Sequence, residues 1–507
     1  MKISATVQKL ANSNNSVPSG LNKGNPSFHL LITNPEQSVA LCKTLLSAAV
    51  LDYPPPTLLN FNNTSPTAKS HVDGIKAVSD FLRDDSRISD HDLVLIVDGK
   101  NTWFQLPPKL IIERYQTVIA LSNASSTDQK YGVLNSSTNG DFKSEAGCNH
   151  HVVWAAGKIR ASAADLAGFS APVSPMLSVL DANTGSNDKR GPIKNPKYLH
   201  SGAVIGPAFQ IKAIYLAALA KLENESEPAT PDALFSRMFE EQVCALRSSK
   251  KPNYGLRSRW LDWLSGKFEL LKHDADRHEE QNRHSALGRD YRITLDYRST
   301  MFQIFVQSDE EMQFVSPNNS VPLGHRDASL ANVLVTLPPD LMRAGAPFHI
   351  AVKPDSGQQY SPSALEFNIT IDTLPTNVIW GDLTLLTNLR TLSIPALLNI
   401  DGDSEPMKNE RWKKMWYHQY ARPLLRNALR SSEGRKAAHA AAIGGDTEWD
   451  TRGGKGGVWL ANKSWMEWGA VCRGYEEELF DDGMGVWDYE GGGHPKFNKY
   501  GYLISGE

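Results

Sequence analysis

Asp92-Leu93-Val94-Leu95-Ile96-Val97-Asp98 is the stretch on which the fold turns. Five apolar residues in an unbroken run, closed at each end by a carboxylate, are too short for a core helix. They read as a strand buried on both faces. Upstream, Phe28-His29-Leu30-Leu31-Ile32 repeats the pattern. Val39, Leu41, Cys42, Leu45, Leu46 and Val50 then recur at helical spacing and stop before Tyr53-Pro54-Pro55-Pro56. A further strand is predicted over 57–61, and Ile75, Val78, Phe81 and Leu82 mark another amphipathic helix. Strands alternating with helices predict the α/β class, with a mostly parallel central sheet flanked by helices.

Downstream the pattern weakens. Between about 120 and 197 Ser, Asn, Gly and Ala dominate, with turn signals at Asn139-Gly140 and Gly191-Pro192, so loops and an insertion are predicted there. Strands return over 199–207 and 291–297, and helices over 211–222, 231–244 and 409–431. The last hundred residues are rich in Trp and Gly. The organisation predicted is a disordered polar leader (1–25), an α/β domain (26–405), and a C-terminal helical, Trp/Gly-rich module (406–507) packed on it. No repeat of fixed period is present.

The chain has 507 residues, 40% of them hydrophobic and 21% charged, with twelve tryptophans, which is the composition of a packed protein. A formal charge of −3 does not favour a nucleic-acid partner, which would need a basic surface. Cys42, Cys148, Cys244 and Cys472 lack CxxC spacing, so neither a zinc ribbon nor a dense disulfide framework is indicated, though one or two disulfides remain open. Asn-x-Ser/Thr triplets at Asn62, Asn123, Asn135, Asn224, Asn318 and Asn368 would accept glycans only in the secretory pathway. The first residues lack the apolar run of a signal peptide, and no segment reads as a membrane span. A cytoplasmic location is therefore expected, or the Golgi and secretory pathway if the N-terminus is incomplete.

The stretch from Asp92 continues as DLVLIVDGKNTWFQLPP, and this resembles the strand and acidic turn of a fungal glycosyltransferase-like family. That family is distantly similar to the GT-A-like glycosyltransferase domains of procollagen-modifying enzymes. Further matches follow in the family's order. They are Tyr198-Leu199-His200-Ser201-Gly202, Phe239-Glu240-Glu241-Gln242, Leu295-Asp296-Tyr297-Arg298-Ser299, Ile394-Pro395-Ala396-Leu397-Leu398, Trp412-Lys413-Lys414-Met415-Trp416 and Cys472-Arg473-Gly474-Tyr475. The resemblance implies a GT-A-like nucleotide-sugar fold and transfer of a sugar, from a UDP-sugar, to an unknown acceptor. It also implies a divalent cation (Mn or Mg) gripping the diphosphate, since a hard ion with oxygen ligands offsets phosphate charge.

The chain departs from the family where the cation would bind. The acidic turn reads Asp98-Gly99-Lys100-Asn101, with an amide in place of the second carboxylate. His200 stands where the family has Asn, Thr230-Pro231-Asp232 replaces Ser-Asp-Gln, and Asn399 replaces a histidine before Ile400-Asp401-Gly402-Asp403. Two readings stay open: a rebuilt site, or a fold kept while catalysis decayed, leaving a binding or accessory protein. The residues expected to face the nucleotide sugar are Lys76, Asp98, Lys100, Asn101, His200, Ser201 and Gly202. Asp98 and Asp401 are the expected metal ligands, and Asp232 and Asp296 the expected catalytic carboxylates. Arg452-Gly453-Gly454-Lys455 resembles a phosphate loop but lacks Walker spacing.

Overall fold

The computed structural model of the chain describes residues 27–33, 35–62, 67–84, 88–131, 150–159, 196–223, 230–249, 291–306, 308–319, 334–348, 374–430, 457–483, 485, 496–497 and 503–504. The polar leader, Asn135, Asn224, Asn368 and the Arg452-Gly453-Gly454-Lys455 loop lie outside the described residues.

The elements run β1 (Phe28–Thr33), α1 (Val39–Val50), β2 (Thr57–Leu59), α2 (Thr67–Asp84), β3 (Leu93–Asp98), β4 (Thr102–Phe104) and α3 (Pro108–Tyr131). Then come β5 (Val152–Gly157), β6 (Tyr198–Pro207), α4 (Ala208–Glu223), α5 (Pro231–Ser249), β7 (Ile293–Asp296), β8 (Phe302–Ile304) and β9 (Met312–Val315). The C-terminal part adds α6 (Pro339–Arg343), β10 (Leu385–Asn388), β11 (Leu397–Asn399), α7 (Glu405–Lys414) and α8 (Ala421–Arg430). A hairpin of β12 (Gly457–Leu460) and β13 (Trp465–Glu467) follows, with α9 (Trp468–Cys472) and α10 (Glu476–Phe480) after it.

Eight strands form the central sheet in the order β13-β12-β2-β1-β3-β6-β5-β7. The Asp92 run is β3 at its centre. Alternate residues of the strands feed two cores. Leu30, Ile32, Leu95 and Val97 pack with α1 and the C-terminal tryptophans, while Leu31, Val94 and Ile96 pack with α2, α4 and α5. Both faces are thus covered by helices, as the unbroken apolar run required.

The expectation of a mostly parallel sheet is corrected. The sheet is mixed: β1 pairs with β2 and β3 in parallel, but β6 runs antiparallel between β3 and β5, and β13 runs antiparallel to β12. A strand covered on both faces carries the same apolar run whichever way its neighbours point, so periodicity is blind to direction. The stretch 120–197 also differs from the loop insertion expected. It holds the end of α3 and all of β5, whose six residues are buried beside β6. The C-terminal residues extend the sheet itself, β12 pairing with β2, and Trp412, Trp416 and Trp468 enter the larger core.

Cys42 in α1 is bonded to Cys472 at the end of α9, across 430 residues of sequence. Among the described residues no helix is long and apolar enough to cross a membrane.

Candidate functional site at the carboxyl edge of the sheet

β1, β3, β5 and β7 point their carboxyl ends to one edge, and antiparallel β6 begins there. Register fixes the row: Thr33 lies opposite Asp98, Val97 opposite Ala203, and Ala155 opposite both His200 and Asp296. Between Trp154 and Ala155 the β5 partner jumps from Val204 to His200, so Ser201-Gly202-Ala203 forms a bulge on the β5 side of β6, while Ala203 keeps its place opposite Val97 of β3. Bulges commonly re-aim side chains beside sites. The β1 connection leaves toward β2 on one side, and β3 lies on the other. The crevice at the ends of β1 and β3 is therefore a topological switch point, where α/β sheets take ligands.

The acidic turn 98–101 follows β3 directly at this point. Gly99 is pressed so tightly there that a Cβ would stand 2.8 Å from Ile32 Cγ2 and 3.0 Å from Pro35 Cβ. The Gly99 carbonyl accepts from Thr44 Oγ1 of α1 (3.4 Å), and Ser47 Oγ accepts from the Phe104 amide (3.1 Å). From the other side Tyr417 OH donates to the Phe104 carbonyl and Trp416 Nε1 to that of Gln105 (both 2.9 Å). α1 and the segment between α7 and α8 thus hold the turn and β4 in place.

A second, three-stranded sheet β4-β11-β8 brings distant residues over the edge. Asn399 pairs with Thr102 in antiparallel register, and the Ile400 amide donates to the Asn101 carbonyl (2.8 Å). Asn399 and His200 crowd Gly202: a Cβ there would lie 2.5 Å from Asn399 Nδ2 and 3.0 Å from His200 Nδ1. The Gly202 amide donates to His200 Nδ1 (3.1 Å), which leaves the ring proton on Nε2. The Ser201 amide donates to Asp232 Oδ1 (2.5 Å), so this carboxylate at the start of α5 braces the bulge.

Asp98, Asn101, His200, Ser201, Gly202, Asn399 and Asp401 are therefore neighbours, drawn from three distant segments. Burial pushes the Asp98 carboxyl above the ordinary range. The nearby Asp401 adds to that rise, while the bond from the Lys100 amide and the charge of Lys100 oppose it. Asp401 is exposed, and its Oδ1 accepts from the Gly402 amide (3.0 Å). Among the described residues, no group of three or more His, Cys, Asp or Glu side chains is gathered so as to hold a metal ion.

Three residues singled out in the sequence have other surroundings. Lys76 is exposed on α2, about 14 Å along the axis from its first residue. Lys100 pairs with Glu36 (2.9 Å), and both are exposed. Asp296 stands two strands from His200, about 10 Å across the sheet. Both its oxygens are occupied by the loop that follows.

Two lysines were missed. Lys408 of α7 donates from Nζ to Asn101 Oδ1 (3.1 Å) and Glu405 Oε1 (2.9 Å). Ser404 ahead of Glu405-Pro406 is a helix-start signal that would have begun this helix four residues before 409 and put Lys408 in its first turns. Lys43 of α1 donates to Asn409 Oδ1 (2.5 Å) and lies 5.7 Å from the Trp412 ring centre. Burial pushes its pKa from 10.5 down to about 8, with Glu405 and Glu478 opposing and Lys408 and Lys413 reinforcing. Between those two values the unfolded chain binds the proton and the folded chain does not, so stability rises with pH across this window. The cost is present in full below it. The expected gain is at most about 3 kcal/mol, read as a higher urea midpoint at about pH 10 than at about pH 7.5. Lys43→Met should flatten that rise, and an unchanged slope in the variant would refute the assignment.

Compared with known proteins, the chain matches no protein-family model and no curated protein.

Proposed function

We propose that this chain is a glycosyltransferase-like protein whose carboxyl-edge crevice takes a nucleotide sugar and passes the sugar to an acceptor. One observation carries the reading: residues 98–101, 200–202 and 399–401, the motifs that the family resemblance ties to the donor, converge on one switch point of the sheet. These segments, about 100 and 200 residues apart, meet at the carboxyl edge of the sheet, the place where α/β folds take ligands, and that supports the reading. In this reading Asp98, His200 and the bulge amides line the diphosphate and sugar. Asp232 acts through the backbone it braces.

A second reading, a silent relative that binds a nucleotide sugar without turning it over, is favoured by the two amides. Asn101 and Asn399 stand where the resemblance implies a carboxylate and a histidine, and the oxygens of both are engaged, by Lys408 and by the Asp401 amide (3.1 Å). Calorimetric titration with UDP and with GDP, in manganese and then in EDTA, tests the pocket without knowledge of the acceptor. Binding of one nucleotide is expected, and absence of heat with either in both conditions sinks both readings. Release of UDP from a UDP-hexose then separates transferase from silent binder.

We infer in addition that the chain folds in an oxidising compartment, contrary to the cytoplasmic location expected from its first residues. A buried Cys42–Cys472 bridge is a structural disulfide of the kind that reducing compartments do not maintain.

A further inference from the structure

We propose that Lys408 is the resident cation of this crevice, standing in for the divalent ion that the family resemblance implies and contacting the ligand's diphosphate directly. The inference rests on the nucleotide-sugar reading above.

The donors present do not suit a divalent cation. A hard cation of this kind needs several free oxygen ligands around it. Asn101 Oδ1 accepts from the Lys408 ammonium, Asn399 Oδ1 from the Asp401 amide, and His200 Nδ1 from the Gly202 amide. Asp98 and Asp401 remain, one half-buried and one exposed, and an ammonium is already bonded to Asn101, which stands where the resemblance implies the second carboxylate. A metal ion beside that ammonium would add a like-charge repulsion, which the exposed Glu405 carboxylate on the same ammonium offsets only in part.

Lys408 is placed for the substitute role. Its side chain is 15% exposed, so it is held at the rim rather than waving in solvent, and its partner Glu405 is 76% exposed. So exposed a pairing contributes little and can be exchanged for a phosphate. Lys100, the lysine the sequence pointed to, is a weaker choice because it is about half-exposed and shared with Glu36. Asn101 fits the same logic. A carboxylate there would form a tight ion pair with Lys408 and neutralise it, whereas an amide orients the ammonium through its oxygen and leaves the positive charge available.

The test is titration of the purified full chain with UDP and with GDP in EDTA and in manganese, for the wild type, Lys408→Met and Lys408→Arg, with thermal unfolding of each. The expected result is wild-type binding that is the same in EDTA as in manganese, weakened at least about tenfold by Lys408→Met and largely kept by Lys408→Arg. Binding that needs manganese, or EDTA-insensitive binding that Lys408→Met leaves unchanged, overturns this inference and leaves the nucleotide-sugar reading standing. No binding of either nucleotide in either condition overturns both. A Lys408→Met variant that melts early is judged against Lys408→Arg, because equal loss in both at equal wild-type fold would mean a packing role and also overturns the inference.

Discussion

Asp296→Ala is expected to destabilise the protein by about 3–5 kcal/mol, enough to unfold a large fraction of it. The side chain is 1% exposed, and its two oxygens are saturated. Oδ1 accepts from the Thr300 amide and hydroxyl (both 3.1 Å), and Oδ2 from the amides of Met301 (2.6 Å) and Phe302 (3.0 Å). Burial pushes the carboxyl up, while the bonds from Phe302, Met301 and Thr300 pull it back. Removing the carboxylate strands three backbone N–H groups in the core, each costing about 1–3 kcal/mol. The damage spreads to the crevice, because the loop they belong to leads into β8, which pairs with β11 and so positions Asn399. A carboxylate accepts about four hydrogen bonds, and all four places are filled, so proton transfer at Asp296 would require a backbone donor to leave. Asp296→Asn should fall between, since its NH2 must face an N–H. The urea midpoint and far-ultraviolet circular dichroism decide the matter. A variant that is inactive yet as stable as wild type would support Asp296 as a catalytic carboxylate.

What the sequence made legible follows the physics of periodicity. The Asp92–Asp98 run announced a strand covered on both faces, and β1, α1, α2, α4 and α5 followed from spacing and from turn residues. Direction was not legible, because β6 carries the same buried character antiparallel as it would parallel. β5 was hidden because Val152-Val153-Trp154-Ala155-Ala156-Gly157 is short and ends in small residues within a polar stretch, although all six residues are buried. At the crevice, the motif residues Asp98, Asn101, His200, Gly202 and Asp401 could be named from the resemblance, and they do lie together. Lys408 could not be tied to Asn101, since 307 residues separate them and no pattern in one segment marks a partner in another. Lys43 escaped for a different reason. A lysine on an apolar helix face reads as a solvated charge, and only the packing of α7 and Trp412 over it reveals its burial.

Breaking the Cys42–Cys472 bridge is expected to lower stability by about 2–5 kcal/mol and to loosen the crevice with it. The bridge joins residues 430 apart, so in the unfolded chain it constrains nearly the whole sequence, and the loss of chain entropy grows with the logarithm of that separation. Both cysteines are fully buried in the larger core, where α9 and α10 pack on α1. α1 also carries Lys43, and Thr44 and Ser47, which hold the Gly99 carbonyl and the Phe104 amide. A helix released from its C-terminal anchor therefore relaxes the acidic turn, and nucleotide binding should weaken as the urea midpoint falls. Cys42→Ala and Cys472→Ala should each lose about as much as the double variant, because either change removes the whole bond. Such non-additivity is the signature of a direct link between two positions. Two independent packing losses would instead sum. Thiol labelling of the unreduced, denatured chain supplies the complementary reading: Cys42 and Cys472 should stay unlabelled, and ready labelling of both would remove the bridge, and with it the argument for an oxidising compartment.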